Sequence, residues 1–306
     1  MLQNNTASNQ IVLKNTTMIL KRGKWKDISN LDKYNQMRDH IRNSYNGLVF
    51  VNEGHRYYYN GKQLESLSNI THLFIPKFDV ESKSREMYEK YYNDQSSKYY
   101  HMTQDEILEQ WNAIKDAACD HGTNVHEFGE SCFYFVTYQD DKILPEFKDR
   151  INGDEFYSTS PKEDAVVKFW TDLPKCFVPI ASENQVCRED LGYSGTFDLL
   201  FYYDAELDGK SDDKSGFVIF DYKTNKDLYK NFKGERMFSP FNDLLNCSFN
   251  VYQLQLSLYQ LALEPIGFKI IGRRIIWLKD DSSYEKISTD SYTIPMYYAL
   301  LNKSCQ

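Results

Sequence analysis

The sequence predicts an α/β protein, and three stretches carry that prediction. Residues 192–224 place two apolar, aromatic and β-branched runs, YSGTFDLLFYY and FVIFDYK, on either side of a Gly/Asp/Ser-rich insert, the pattern of two strands joined by a loop. Residues 105–136 repeat apolar side chains at helical spacing (Ile107, Leu108, Trp111, Ile114, Ala117, Ala118). Residues 249–263 do the same with Leu254, Leu258, Leu261 and Ala262. A chain of 306 residues permits one large domain or two small ones and a sizeable core.

In chain order, residues 1–45 read as an arm or small appendage to a main domain of residues 46–306. The arm holds an Asn/Thr-rich lead without the apolar segment of a signal peptide. It also carries a basic cluster (Lys21, Arg22, Lys24, Lys26), either a solvated surface or a phosphate contact. From residue 47, LVFV and HRYYYNGKQLES predict a short hairpin turning at Asn60-Gly61. Tyr88, Tyr91, Tyr92, Tyr99 and Tyr100 then interleave with Lys90 and Lys98, to pack a helix on the core or to stack on the bases of a single strand. The helix of residues 105–136 takes Thr103 as its cap, with Glu106 three residues on. Gly122 interrupts its pattern and would let backbone approach a sheet, and His126 lies one turn further on the same face.

Residues 144–160 are polar and read as a loop, 164–173 as a helix, and 177–186 as a strand carrying Glu183. After the central hairpin, Lys223, Lys226, Lys230 and Lys233 fall at helical spacing and would form a basic face, in phosphate contact or simply solvated. Gln255 and Tyr259 share a face of the last long helix one turn apart. Residues 267–278 supply one or two late strands.

The central hairpin concentrates charge. Pairing that is symmetric about the insert sets Asp198 opposite Asp221, with Cα atoms about 4.5–5.5 Å apart. Alternation puts Asp221 and Lys223 on one face and Tyr222 on the other. Two close anions raise each other's pKa unless a cation lies between them. A divalent metal meets that need, because it takes hard oxygen ligands. A salt-bridged trio on an exposed sheet face is the alternative.

Asp198 followed by Asp221-Tyr222-Lys223, with Gly195-Thr196-Phe197 before the first Asp, resembles the PD-(D/E)XK nuclease signature. Three further motifs resemble the RecB-like, phage-type exonuclease branch, in the right order. Gly122-Thr123-Asn124-Val125-His126 is similar to its GxxxH element, Ser182-Glu183 to its strand glutamate, and Gln255-Leu256-Ser257-Leu258-Tyr259 to its QxxxY helix. The resemblance covers residues 122–259. It implies a mixed central β-sheet flanked by helices, a restriction-endonuclease-like core. It also implies metal-dependent hydrolysis of phosphodiester bonds at the ends of linear DNA, in replication, recombination or repair.

On that resemblance, His126, Asp198, Asp221 and the main-chain carbonyl of Tyr222 would bind Mg²⁺ or Mn²⁺. Glu183 would stand beside the metal and join Asp198, Asp221 and Lys223 in the catalytic set. Lys223 would position the attacking water and stabilise developing negative charge. Gln255 and Tyr259 would contact substrate, with Lys226 on the phosphates. The competing functions are a structure- or sequence-specific endonuclease of the same fold and a nucleic-acid-binding module without turnover.

The totals set the remaining bounds. A net charge of −8 argues against a uniformly basic, nucleic-acid-coating surface, but leaves room for a local basic groove. No apolar run approaches the roughly 20 residues that span a bilayer. The six cysteines show no CxxC spacing, so reduced thiols in a cytoplasm are expected, that of a host if the chain is viral. Only Cys305 follows the QxxxY motif, so no iron–sulfur cluster is expected. Expected partners are DNA and replication or recombination proteins.

Overall fold

The computed structural model describes residues 17–26, 31–54 and 56–304. The first half of the chain forms β1 (Ile19–Lys21), α1 (Leu31–Ser44), β2 (Leu48–Val51), β3 (Arg56–Tyr59), β4 (Lys62–Ser66), α2 (Leu67–His72), α3 (Val80–Tyr91) and α4 (Gln104–Val136). Next come α5 (Pro145–Lys148), β5 (Ile151–Asn152), β6 (Glu155–Tyr157), α6 (Pro161–Asp172), β7 (Phe177–Arg188), β8 (Tyr193–Tyr203) and β9 (Gly216–Lys223). The chain closes with α7 (Ser248–Leu263), β10 (Ile270–Leu278), β11 (Tyr284–Ser288) and α8 (Thr293–Ser304). The polar lead of residues 1–16 and Cys305, on which the iron–sulfur expectation turned, lie outside the described residues.

The large sheet runs β11-β10-β9-β8-β4-β3-β2, and β7 also pairs with β8. It is mixed: β9–β10 and β4–β8 are parallel, and the other pairs antiparallel. Helix α7 packs against β7, β9 and β10, and α6 against β10 and β11. The expected α/β architecture, a central mixed sheet flanked by helices, is therefore present. At its centre β8 and β9 pair from Leu199↔Phe220 to Tyr203↔Gly216. Gly216 is required at the end of that pairing, because a Cβ there would lie 2.5 Å from Ile271 Cγ2 and 2.9 Å from the Lys269 carbonyl.

Helix α4 starts at a capping box formed by Thr103 and Glu106. Its last turns are buried through Val125, Phe128, Cys132, Phe133, Phe135 and Val136, whereas no residue from 110 to 124 is buried. That first half carries α3 alongside it, fastened where Trp111 Nε1 donates to the Tyr99 hydroxyl at 2.9 Å. Tyr88–Tyr92 and Tyr91–Tyr99 ring contacts complete the same cluster, so these tyrosines engage one another.

Two local expectations are corrected, and a third is extended. Residues 144–160 are not a loop: they form α5, β5 and β6, and β6 pairs with β1 in a three-stranded sheet ordered β1-β6-β5. A strand of three residues whose partner lies some 140 positions away leaves no periodicity to read. Residues 224–247 contain no helix, so Lys226, Lys230 and Lys233 stand exposed on an irregular segment rather than on one helical face. Asp227 Oδ1 accepts from the Tyr229 and Lys230 N–H groups at 2.8 and 3.1 Å, a local bond that competes with helix formation. The hairpin expected at Asn60-Gly61 forms from β3 and β4, with positive φ at both turn residues; β2 extends it to a three-stranded meander, and β4 joins it to the large sheet beside β8.

The described parts of residues 1–45 share the main core through Leu20, Trp25, Tyr34 and Ile41. Trp25 meets Trp170 edge-on, and Lys24 Nζ donates to the carbonyls of Trp170, Thr171 and Leu173, closing the C-terminus of α6. Lys21 and Arg22 pair with Glu155 and Asp140. Among the described residues, no helix is long and apolar enough to cross a membrane.

Candidate metal centre

Helix α4 and strands β7 and β8 bring His126, Glu183 and Asp198 together, with one ligand atom from each within 4.8 Å of the others. His126 Nδ1 lies 3.3 Å from Asp198 Oδ2 and 3.8 Å from Glu183 Oε1. The close approach of α4 depends on Gly129, three residues beyond His126. A Cβ at Gly129 would stand 2.6 Å from Tyr222 Cε2, in steric clash with the ring. The glycine that lets this helix lie on the sheet is thus Gly129 and not Gly122, whose added Cβ would make only an ordinary 3.5 Å contact with Thr224.

Strand β7 contributes Glu183 through a local distortion. Its neighbours pair as Ser182↔Leu199 and Asn184↔Phe197, which sets Glu183 opposite Asp198. Glu183 has φ +47°, left-handed backbone inside a strand, a conformation that costs a non-glycine residue about 1–3 kcal/mol. The strain sits where two carboxylates meet one imidazole.

Strand β9 adds the next layer. The β8–β9 register, continued by one position, sets Asp198 opposite Asp221. Tyr222 enters through its main-chain N–H, which donates to Asp198 Oδ2 at 2.6 Å, while its side chain is buried under α4. Asp221 is buried outside the compact His126/Glu183/Asp198 cluster, with Lys223 Nζ 2.5 Å from one oxygen. Neither Asp221 oxygen has a well-aligned hydrogen bond. Lys223 Nζ also stands 4.4 Å from the centre of the Tyr252 ring. The Tyr252 hydroxyl donates to Asn225 Oδ1 at 2.9 Å, and Trp277 Nε1 to the Asn225 carbonyl at 2.7 Å, so the chain leaving β9 is clamped.

The charges are unevenly matched. Burial pushes Glu183 up to about 7, with Asp198 adding to the shift and His126 opposing it. Burial likewise pushes Asp221 up to about 6, against the pull of Lys223. Asp198 is also penalised by burial, yet His126, Lys223 and the Tyr222 N–H hold it below the usual carboxylate range. For His126, burial disfavours the imidazolium, but Asp198 and Glu183 prevail and raise it to about 10. Lys223 is raised in the same way, Asp221 and Asp198 outweighing its burial.

His126 and Glu183 open into a cleft of about 740 Å³. Gln255 and Tyr259 line its other side: Gln255 Nε2 lies 3.1 Å from the Tyr259 hydroxyl, which donates to the Thr196 carbonyl. Thr196 Oγ1 in turn meets the Tyr57 hydroxyl at 3.3 Å. This chain of polar groups fixes β8 two residues before Asp198. Asp198, Asp221 and Lys223 sit deeper, off the lining.

No protein-family model matches this chain, and no curated protein matches its sequence. What the centre can do therefore rests on its own geometry. An imidazole and two carboxylates within reach of one point form a donor set able to hold a metal ion, and burial without enough counter-charge adds a reason to bind one. Of the residues singled out from the sequence, His126, Glu183, Asp198, Asp221, Tyr222 and Lys223 converge here, Gln255 and Tyr259 border the cleft, and Lys226 is exposed on the segment after β9. Gly129 and Tyr252 escaped the sequence reading. Each carried a signal: Gly129 falls two turns after Gly122, and Tyr252 precedes Gln255 and Tyr259 by three and seven residues on one helix.

Proposed function

We propose that the protein is a Mg²⁺- or Mn²⁺-dependent nuclease that hydrolyses DNA phosphodiester bonds from ends, as the likeness to PD-(D/E)XK exonucleases implies. The observation that carries the reading is the order of groups at one end of the β8–β9 hairpin. His126 and Glu183 face a cleft, Asp198 lies beneath them within reach of the same point, and Lys223 stands beside Asp221, also off the lining. The donor set fits a divalent ion, since carboxylates suit both metals and an imidazole suits Mn²⁺ in addition. Such an ion supplies Lewis-acid polarisation of a phosphoryl group.

The remaining steps belong to the chain. Lys223 stays protonated in its pocket of carboxylates, so its ammonium can meet negative charge as it develops on phosphate. Asp221 and the Tyr252 ring hold that ammonium in place. Gln255 and Tyr259 border the path of the substrate. Glu127, Glu130 and Glu183 line the cleft, and no lysine or arginine does so among the described residues. A polyanion approaching this wall meets repulsion unless a cation is bound, so substrate binding as well as turnover should require divalent metal.

End-labelled linear DNA and closed circular DNA, each with Mg²⁺, Mn²⁺ or EDTA, test the reading. The expected result is progressive loss of the linear DNA with either metal, none in EDTA, an intact circle, and no cleavage by Asp198→Asn. Cleavage of the circle would make the protein an endonuclease. Metal-dependent DNA binding without cleavage would make it a binding module, and cleavage in EDTA would remove the metal from the account.

A further inference from the structure

A second cleft, of about 330 Å³, lies away from the metal centre. In the parallel β9–β10 register Asp221 stands beside Ile275, whereas Arg274 stands beside Phe220. Arg274 therefore projects from the opposite face of the sheet. Its guanidinium carbon is 5.4 Å from the centre of the Phe177 ring and 5.7 Å from that of Phe220, so two aromatic rings hold it. Among the described residues no carboxylate pairs with it and nothing accepts its hydrogen bonds. Burial disfavours its charge and lowers its pKa.

Lys286 faces the same way, because the antiparallel register pairs it with Ile276, two residues beyond Arg274. It too lacks a partner, and burial together with Arg274 lowers its pKa. Lys286 is not on the cleft's lining but neighbours Arg274 on the same face; the lining's other cation, Lys210, is paired with Asp208, which lines the cleft as well. Two neighbouring like charges on one face, neither with a carboxylate partner among the described residues, repel each other, and a bound anion relieves that repulsion.

We propose that this cleft binds a nucleoside monophosphate. A guanidinium fixed over two rings presents its parallel N–H donors to an oxyanion, and Lys286 adds a point charge suited to a dianionic phosphate. Apart from the Asp208–Lys210 pair, the wall is mainly apolar or aromatic, with Phe177, Tyr203, Val218 and Ile271, and takes the flat base. The volume lies at the lower end of small-ligand pockets, about 300–1,000 Å³, and so admits one nucleotide rather than a strand. The proposal is independent of the function assigned to the metal centre.

Calorimetric titration of the full chain in EDTA tests it, with deoxyadenosine monophosphate, deoxyadenosine and inorganic phosphate as probes. Saturable binding of the monophosphate is expected, with weaker binding of both fragments. Arg274→Gln should weaken it about tenfold or more, the range for hydrogen bonds to a charged group. Lys286→Gln, a change at an exposed side chain, should weaken it in the same direction. Absence of saturable binding by the wild type, undiminished affinity in both folded variants, or equal affinity for inorganic phosphate each overturns the proposal.

Discussion

Two of the regions that bury acidic side chains in this molecule treat them in opposite ways. At the N-terminus of α6 every charge has its partners. Glu163 receives Arg150 Nη1 at 2.9 and 3.0 Å on its two oxygens and the Thr159 N–H at 2.6 Å. Asp164 receives the Ser158 and Ser282 hydroxyls at 2.5 and 3.0 Å, and Lys162 Nζ donates to the carbonyls of Leu278 and Thr224. At the metal centre three carboxylates share one imidazole and one ammonium, Asp221 lacks an aligned hydrogen bond, and the backbone at Glu183 is strained. A fully partnered network serves stability, because each group regains in the fold what it lost in water. A deficit that opens into a cleft marks a place whose missing partner comes from outside.

Lys223→Ala breaks this comparison most severely if it is mistaken. As the cation of the under-partnered region, Lys223 should matter to turnover, with a loss on the order of 10²–10³ in single-turnover rate. DNA affinity measured in Ca²⁺ should change little. Should Lys223 serve only to neutralise Asp221, as Arg150 serves Glu163, the variant would lose stability and keep its rate. Single-turnover cleavage at saturating enzyme, run beside a thermal melt, separates the two.

Arg150→Met probes the other region. It strands the Glu163 carboxylate, whose side chain is 9 % exposed, with only neutral donors. Removing one partner of a buried pair costs about 3–5 kcal/mol, and partial exposure of Arg150 places the expectation near the lower figure. A urea melt should show that loss, while metal-dependent activity per folded molecule stays at the wild-type level. A melt unchanged from wild type would mean that the network at α6 is no better coupled than a surface pair.

The same contrast explains what was legible in the sequence. The β8–β9 hairpin could be read because its two apolar runs are long and its insert strongly polar, and symmetry about the insert then set Asp198 against Asp221. His126 and Glu183 joined them only through the resemblance to the nuclease motifs. What the spacing does not contain is a long-range contact: Tyr222 lies against Gly129 across 93 positions, and β1 pairs with β6 across more than a hundred. The lysines after β9 misled for another reason. Spacing at three and four residues describes a helix only if the backbone forms one, and Asp227 spends the first turn's N–H groups on its own side chain.

Asp204 provides the smallest and sharpest extension of the comparison, since it is a buried carboxylate away from the metal centre and lines neither cleft. Its Oδ2 receives the Tyr34 hydroxyl at 2.8 Å and lies 3.4 Å from Lys33 Nζ, and its Oδ1 accepts from the Glu206 N–H at 3.1 Å. Burial opposes its charge, yet Tyr34, Lys33 and the neighbouring N–H groups outweigh that and lower its pKa. A carboxylate with a depressed folded pKa contributes stability that is present above its unfolded value, about 3.9, and disappears as the pH falls through the folded value. Tyr34→Phe removes one of the groups that hold the pKa down, at an expected cost of about 1 kcal/mol near neutrality. The gap between wild type and variant should be widest above pH 5 and should narrow as Asp204 protonates in both. Urea melts at pH 7 and pH 3 read it directly: a gap of equal size at both would show that the tyrosine contributes through packing alone, and that Asp204 is not held charged by its partners.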